Sequence, residues 1–103
     1  MTWGVITDVA APAEIYDAVH ARLLERTAGQ ADGLFLHLAR ATDSGFQVVE
    51  VWETRDHFER YEAELVAPLL AELAGPSARD ASPPTVTEFD VRGLVIPSAR
   101  VAV

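Results

Sequence analysis

Alternating apolar and polar residues mark two neighbouring stretches in the middle of the chain, 33–40 and 46–53. Alternation with a period of two predicts β-strands, and the turn-forming residues 42–45 between the two stretches predict a hairpin. Residues 2–8 and 85–96 are rich in β-branched and aromatic types and predict two more strands. Gly93 predicts a bulge or a bend in the last of them.

Two other stretches repeat their apolar residues every three or four positions, as amphipathic helices do. In 12–27, Ile15, Val19 and Leu23 form one stripe, Pro12 suits the first turn and Gly29 suits a left-handed cap. The second helix begins after a Thr54 N-cap. Its stripe consists of Phe58, Tyr61, Leu65, Leu69 and Leu73.

Pro68 lies inside this second stripe, where its ring removes a backbone hydrogen bond, and predicts a kink or break. The order β-α-β-β-α-β predicts an α+β, ferredoxin-like domain with a four-stranded antiparallel sheet. We expect one domain over 1–97, containing a loop at 74–84, and a flexible tail over 98–103.

Two helices cover only one face of such a sheet. We assign the Val49 and Val51 side of the third strand to the helices. The other face then carries Phe46, Val48, Trp52 and, from the second strand, Phe35. This face is too apolar to remain in water, so we expect a second copy of the chain to cover it through a two-fold interface.

Composition removes several classes of function. The net charge of −8 argues against binding to nucleic acid or to anionic membranes. The chain has no cysteine, which excludes disulfides and thiol nucleophiles. No apolar stretch approaches the length of a membrane span. We therefore expect a cytoplasmic protein.

The stretch 46–54, a strand ending in Trp52 followed by a short turn and a helix, resembles the dimeric α-β barrel superfamily, in its antibiotic-biosynthesis monooxygenase-like branch. Phe58, Pro68 and the strand around His37 are also similar to those relatives. The resemblance implies a homodimer with a small-molecule pocket. Its members include cofactor-free oxygenases, haem-degrading oxygenases, isomerases and cyclases, so the fold leaves the reaction open. Some of the monooxygenases use a pocket asparagine, and this chain has none.

His37 and Glu50 are the candidate catalytic residues, since they are predicted on one face of adjacent strands. His37 suits a general base or a donor to a substrate carbonyl, and the alternative is a structural histidine. Glu50 could act as a base, orient His37, or form a structural ion pair with Arg40 or Arg92.

The candidate substrate-binding residues are mostly aromatic and could equally be ordinary packing residues. They are Trp52, Phe35, Phe46, Val48, Trp3 and Tyr61. A hydroxyl of Tyr16 or Tyr61 could reach the pocket, whereas His20 and His57 are expected to face solvent. The histidine spacing predicts no metal site. No cofactor is expected, although one histidine could serve haem as an axial ligand.

Together these features suggest an enzyme of secondary metabolism acting on a hydrophobic, aromatic or polyketide-like compound between sheet and helices. The reaction would be cofactor-free oxygenation, cyclisation or isomerisation, each beginning with proton abstraction. The alternative is a non-catalytic homodimer that binds a small molecule or is purely structural. An open cavity of about 300 Å³ or more would favour a ligand.

Overall fold

The computed structural model of the chain describes residues 2–74 and 83–97. The elements follow the predicted βαββαβ order, the second helix being divided by one π-helical segment. They are β1 (Trp3–Val9), α1 (Ala13–Thr27), β2 (Leu34–Thr42), β3 (Gly45–Trp52), α2 (Arg55–Tyr61), the π segment (Glu62–Val66), α3 (Ala67–Ala74) and β4 (Thr85–Asp90). Most of the expected 74–84 loop and the expected tail over 98–103 lie outside the described residues.

The four strands form one antiparallel sheet in the order β2-β3-β1-β4. The β2–β3 hairpin folds back so that β3 lies between β1 and β2, and α1 connects those two strands across the sheet. This is the predicted ferredoxin-like arrangement. The fold class is therefore confirmed.

The last strand is shorter than predicted. It ends at Asp90, which pairs with Trp3, the first residue of β1. Beyond this point β1 offers no partner strand, and only the Val91 N–H still reaches the Thr2 carbonyl, at 3.4 Å. The strand predicted over 91–96 is wrong because the neighbouring strand has ended. The chain bends at Arg92, next to Gly93, where a bulge or a bend was predicted.

The buried face of α1 differs from the predicted stripe. Ile15 is 49% exposed, whereas Val19 is buried and Tyr16 and His20 are half-buried. The helix thus turns its Tyr16–Val19–His20 side towards the sheet. At its C-terminus Ala28 takes the left-handed conformation (φ 54°), and the predicted Gly29 that follows it also has a positive φ, of 77°.

The helix that contains Pro68 is irregular in the turn before the proline, and it is not broken at the proline itself. Thr54 caps the start of α2, as predicted, by accepting a hydrogen bond from the His57 N–H at 3.3 Å. The chain then forms the π segment, where the Ala67 N–H donates to the Glu62 carbonyl five residues back. This wider turn precedes Pro68, which has no backbone N–H and therefore donates no helical hydrogen bond.

The predicted assignment of the two sheet faces is inverted. The helices cover the face that carries Val5, Phe46, Glu50 and Trp52, and Val5 and Trp52 are at most 1% exposed. Both faces of β3 are rich in apolar residues, so alternation alone cannot choose between them. The choice follows from the helices, whose aromatic residues pack against the aromatic side of β3.

The middle of the open face is aliphatic, and at the hairpin end of the same face Gln47 hydrogen-bonds to Asp8 and Arg40. The strand registers put the following residues on it: Ile6, Leu36, Leu38, Val49 and Phe89. Leu38 is 57% exposed in the single chain. The Phe89 ring lies directly over Gly4, where any Cβ would collide with it. No helix in the described ranges combines the length and apolar character needed to cross a bilayer.

Candidate functional site

A hydrogen-bonded chain of polar side chains lies between the sheet and the helices. His37 and Glu50 are directly paired on β2 and β3, and His37 Nδ1 lies 2.6 Å from Glu50 Oε2. Trp52 Nε1 donates to the other carboxylate oxygen at 3.3 Å. Glu50 is 6% exposed, so these two donors compensate for the burial of its charge.

Tyr16 extends this chain from the helix layer. Its hydroxyl lies 2.6 Å from His37 Nε2. An ionised carboxylate only accepts, so His37 Nδ1 carries the proton that points to Glu50. In the neutral imidazole Nε2 is then the acceptor, and Tyr16 O–H donates to it. Tyr16, His37 and Glu50 thus have the hydroxyl–imidazole–carboxylate order of an acid–base triad.

His20 continues the chain one helical turn after Tyr16. Its Nδ1 lies 3.1 Å from the Tyr16 hydroxyl oxygen. The His20 and His37 rings are almost parallel, with centroids 5.6 Å apart and an interplanar angle of 3°. The expectation that His20 faces solvent is wrong. Its spacing of four residues from Tyr16 was the available signal, because such residues share a helix face.

Burial sets the protonation of the two tyrosines. It raises the pKa of Tyr16 to about 12, and the nearby charges of Glu50 and Asp17 add to the effect. Burial likewise raises the pKa of Tyr61 to about 12, with Glu50 again the main charged neighbour. Both hydroxyls therefore keep their protons at neutral pH, and Tyr16 acts as a donor.

Glu62 is a second carboxyl group at this site that the sequence analysis missed. It begins the π segment next to Tyr61. Burial raises its pKa to about 7, and repulsion from Glu50 contributes. Among the described residues no side chain hydrogen-bonds to its carboxyl group. The available signal was an acidic residue beside the apolar stripe, ahead of a helix proline.

Aromatic rings surround Trp52 and Glu50, at the sheet end of the hydrogen-bonded side chains. Trp52 has no exposed surface and packs against Tyr61, with ring centroids 5.2 Å apart, and against Phe58 at 6.0 Å. Trp3 contacts Phe58 from the first strand at 5.1 Å. These rings form a packed wall beside Glu50.

The remaining predicted binding residues have different environments. Phe46 is buried against Tyr16, with centroids 5.5 Å apart. Val48 is half-buried and pairs with Ala39 and Thr7. Phe35 lies at an irregularity between Leu34 and Leu36 and is 44% exposed. Phe35 therefore stands apart from the ring contacts around Trp52.

His57 belongs to a different cluster, at the start of α2. Its Nδ1 lies 2.6 Å from Thr54 Oγ1, and its Nε2 lies 3.6 and 3.7 Å from Glu53 and Asp32 carboxylate oxygens. The ring packs on Gly33, whose φ of 80° suits glycine. The expectation of a solvent-facing His57 is wrong, since its side chain is 17% exposed.

Two hollows on the described residues lie away from the Tyr16–His37–Glu50 hydrogen bonds. One of about 360 Å³ is a polar depression on the helix surface, lined by Asp56, Glu59, Arg60, Ala63 and Glu64. The other, of about 140 Å³, reaches Tyr61 and is also lined by Ala31, Asp32, His57, Arg60, Glu64 and Leu65. Neither of these two hollows is lined by His37.

The side chains around His37, as far as the structure describes them, do not fit a metal ion or a haem group. Within 2–74 and 83–97, no three His, Asp or Glu side chains are grouped as a metal site requires. Both ring nitrogens of His37 are engaged, one by Glu50 and the other by Tyr16. His37 in this arrangement does not fit the role of an axial haem ligand.

Solved structures resemble this fold over nearly the whole chain. A candidate antibiotic biosynthesis monooxygenase from Deinococcus radiodurans has a TM-score of 0.62 at 17% identity, covering 96% of this chain and 100% of its own. SnoaB, a cofactor-independent oxygenase from Streptomyces nogalater, has a TM-score of 0.55 at 23% identity, covering 94% and 96%. The heme-degrader MhuD from Mycobacterium tuberculosis has a TM-score of 0.52 at 21% identity, covering 90% and 98%.

The chain has the fold of the antibiotic-biosynthesis monooxygenase-like proteins. The resemblance identified from residues 46–54 is therefore confirmed at the level of fold. No protein-family model matches the chain, and no curated protein sequence matches it either. At these identities the likeness does not decide the reaction, and only the hydrogen-bonded residues Tyr16, His37 and Glu50 can indicate it.

Proposed function

We propose that the protein is an enzyme that removes a proton from a hydrophobic aromatic or polyketide-like compound. The observation that carries the proposal is the Tyr16–His37–Glu50 chain, with two contacts of 2.6 Å in a half-buried setting. Buried groups held this closely suit acid–base work, because their geometry is fixed before the substrate binds.

The proton moves in one concerted step. The Tyr16 hydroxyl oxygen accepts the proton of an acidic O–H or C–H bond, while its own proton passes to His37 Nε2. The products are a substrate anion, a neutral Tyr16 and a His37 imidazolium paired with the Glu50 carboxylate. Glu50 stabilises the imidazolium and fixes the ring orientation, as the carboxylate does in a serine protease triad.

The anion can follow any of the three predicted reactions. In an oxygenation, the anion gives electrons to O₂, so that a CH₂ group and O₂ become C=O and H₂O. In a cyclisation the anion attacks a carbonyl carbon of the same molecule, and in an isomerisation the proton returns at another carbon. SnoaB, by name a cofactor-independent oxygenase with this fold, makes the first the preferred reaction.

The aromatic wall supplies the predicted binding surface. Tyr61 borders the hollow of about 140 Å³ on one side and contacts Trp52 on the other. This volume is below the ~300–1,000 Å³ of typical ligand sites. A ring-sized substrate therefore requires the Tyr61 side chain to move away from the hollow.

The test measures turnover on a panel of anthrones, naphthols and linear polyketide mimics with O₂ present. We expect His37→Ala to lower kcat/KM by about 100-fold or more, since general acid–base catalysis contributes about 10²–10⁴-fold. Glu50→Gln should lower it less. Glu88→Gln is the matched control for Glu50→Gln, because the Glu88 carboxylate pairs with Arg55 at the surface and lines neither the hollow nor the Tyr16–His37–Glu50 site. Unchanged turnover in both site variants would exclude this mechanism.

The open sheet face supports a second property, assembly as a homodimer. Leu36, Leu38, Ile6 and Val49 lie on this face, and Leu38 is 57% exposed in one copy. Apolar faces of this kind usually mark an interaction site, and a two-fold pair of sheets would cover both copies at once. We still propose a dimer, but it forms through the Leu38 and Val49 face. The face of Phe46 and Trp52, predicted to form the interface, is covered by the helices.

A non-catalytic dimer is the second candidate function. It is favoured by the closely filled layer around Trp52, which has no exposed surface. A dimer by sedimentation that shows neither ligand-dependent Trp fluorescence change nor turnover across the panel would support this candidate over the enzyme.

A further inference from the structure

The open sheet face carries three hydrogen-bonded polar side chains at its hairpin end. Gln47 lies in the middle: its Nε2 donates to Asp8 Oδ1 at 2.9 Å, and its Oε1 accepts from Arg40 Nε at 3.0 Å. We call these three residues the polar row. They lie side by side on β1, β3 and β2, so the row has an anion at one end and a cation at the other.

The polar row holds the whole charge of the open face of the described strands. The strand registers put Asp8 and Arg40 on this face, and every other residue that they place there is apolar or uncharged. The face is thus electrically balanced, although the chain has a net charge of −8. Two copies can therefore approach through it without the repulsion that an acidic surface would exert on its own copy.

Both charged ends of the polar row have unused hydrogen-bonding capacity. In the part of the chain that the structure describes, Gln47 is the one side chain that hydrogen-bonds to either end, and neither end forms an ion pair. Arg40 has five N–H donors and Asp8 has a second carboxylate oxygen. Within one copy they stay apart, because Gln47 lies between them and the usual strand spacing separates their backbones by about 10 Å.

We propose that the polar row recognises the polar row of a second copy, so that Arg40 of each chain pairs with the partner's Asp8 and fixes how the two sheets face each other. The pairing rests on the homodimer proposed above, and adds to it the alignment of the two sheets. Charges at an interface serve alignment and choice of partner more than affinity.

The alignment follows from symmetry. A two-fold axis that lies between the sheets and runs along the strands reverses the order of the strands across the sheet. The partner's polar row then lies opposite with its ends exchanged, so that Asp8 and Arg40 ends meet on both sides of the axis. An axis across the strands would put the two rows at opposite ends of the interface, where neither row would meet a charged partner.

The contact is compatible with the spacing of packed sheets. Facing sheets lie about 10 Å apart, a gap that the long Arg40 side chain and the shorter Asp8 side chain span together. The planar guanidinium suits a bidentate pair with a carboxylate. Leu38 and Val49, paired in the neighbouring row of the same face, would exclude water from this contact.

The test reverses one charge at a time in the full chain. Arg40→Asp makes both ends of the row acidic, and Asp8→Arg makes both ends basic, so like charges meet in either homodimer. We expect each variant to lower the dimer affinity by at least about 100-fold, measured by sedimentation equilibrium. Homodimers of wild-type affinity from both variants would overturn the proposal.

Mixing the two variants gives the sharper result. An acidic row opposite a basic row restores an arginine–aspartate pair at both contacts, so the equimolar mixture should form a heterodimer within about 10-fold of the wild-type affinity. No effect confined to a single chain produces this recovery. A mixture that stays monomeric would also overturn the proposal.

Asp43→Arg is the matched control. Asp43 lies in the hairpin turn beside the polar row, outside the paired strands, and this variant changes the charge as Asp8→Arg does. It should leave the homodimer within about threefold of the wild-type affinity, and it should not form a heterodimer with Arg40→Asp. If it acts like Asp8→Arg in both respects, net charge is responsible and the polar row is not.

Neutral variants guard against misfolding. Asp8→Asn and Arg40→Gln keep a polar side chain of similar size, and each should weaken the dimer by about 10-fold without moving the denaturant midpoint of the protomer. Unchanged dimer affinity in both would contradict the pairing.

The dimer and the pairing of the polar rows can fail separately. If Leu38→Asp separates the copies while the reversed charges do not, the dimer stands and the pairing of the rows fails. A wild-type chain that sediments as a monomer would contradict both.

Discussion

The two faces of one sheet carry different kinds of residues, although they alternate along the same strands. The covered face holds a continuous polar chain, Tyr16–His37–Glu50, inside an aromatic core. The open face holds aliphatic side chains such as Leu36, Leu38 and Val49. The usual expectation is that titratable groups are exposed and aliphatic groups are covered.

The difference shows that a polar group can be covered in this chain when its hydrogen bonds are made. It also shows that an apolar face stays open when no helix packs on it. The buried carboxylate of Glu50 is acceptable because each oxygen receives a hydrogen bond, one from His37 and one from Trp52. The aliphatic face stays uncovered because both helices pack on the opposite side. Chemistry is thus concentrated on one face, and association is expected on the other.

The largest expected effect comes from removing the aromatic centre of the covered face. Trp52→Ala should lower the free energy of unfolding by about 3–5 kcal/mol, because it leaves a cavity and removes a donor to Glu50. Chemical denaturation measures this loss. Trp3→Ala is the control, since Trp3 is only half-buried and should lose clearly less. Equal losses would show that the covered face has no special centre.

The next effect concerns the buried carboxylate. Glu50→Ala should lower the free energy of unfolding by about 2–4 kcal/mol, because the Nδ1–H of His37 and the Nε1–H of Trp52 both lose their acceptor. Glu88→Ala is the control, since its carboxylate pairs with Arg55 at the surface. If both variants lose the same small amount, the polar chain does not stabilise the core.

Glu62 predicts a pH-dependent effect on the covered face. Its carboxyl group holds a proton to about pH 7 in the folded chain, against an ordinary value of 4.5. Between these values the folded chain binds more protons than the unfolded one, so this group's contribution to stability falls as pH rises.

Glu62→Gln should therefore stabilise the protein at pH 8 by about 1–2 kcal/mol and have little effect at pH 4. This is less than the full conversion of the shift, because solvent screens a partly exposed group. Denaturant midpoints at the two pH values measure it. Glu64→Gln, an exposed position in the same π segment, should show no such difference between the two values.

The smallest effect on protomer stability is expected on the open face. Leu38→Asp should change the folding of one copy by no more than about 0.5 kcal/mol, since the side chain is largely exposed. Dimer affinity should nevertheless fall by at least about 100-fold, because a carboxylate would be buried without a partner. Sedimentation velocity measures this change. Ile15→Asp, exposed on α1, should leave the dimer intact.

The element order and the pairing of His37 with Glu50 could be predicted from the sequence, because both depend on local periodicity. An alternation of two places residues 37 and 39 on one side of a strand wherever that strand goes, whereas the irregularity at Phe35 interrupts the alternation. Hairpin turn residues then bring the 46–53 stretch alongside. The resemblance around Trp52 added the fold family, and the solved structures bear it out.

The roles of Tyr16, His20 and Glu62 could not be predicted in the same way. Tyr16 and His20 face the sheet because α1 is rotated by about one residue from its apolar stripe, so that Ile15 points outwards. Glu62 approaches Glu50 through a π segment ahead of Pro68. Both outcomes depend on how helices and sheet fill one shared volume, which no stretch of sequence determines locally.

The sequence by itself determined the order of strands and helices, and which side chains share a face where a strand is regular. Only the tertiary structure decided which face of the sheet the helices cover. Burial energy follows apolar area and has no direction, so two apolar faces compete almost equally until specific side chains meet. Here the rings of Tyr16, Phe58 and Tyr61 meet Phe46 and Trp52, and those contacts bring the polar chain into the core.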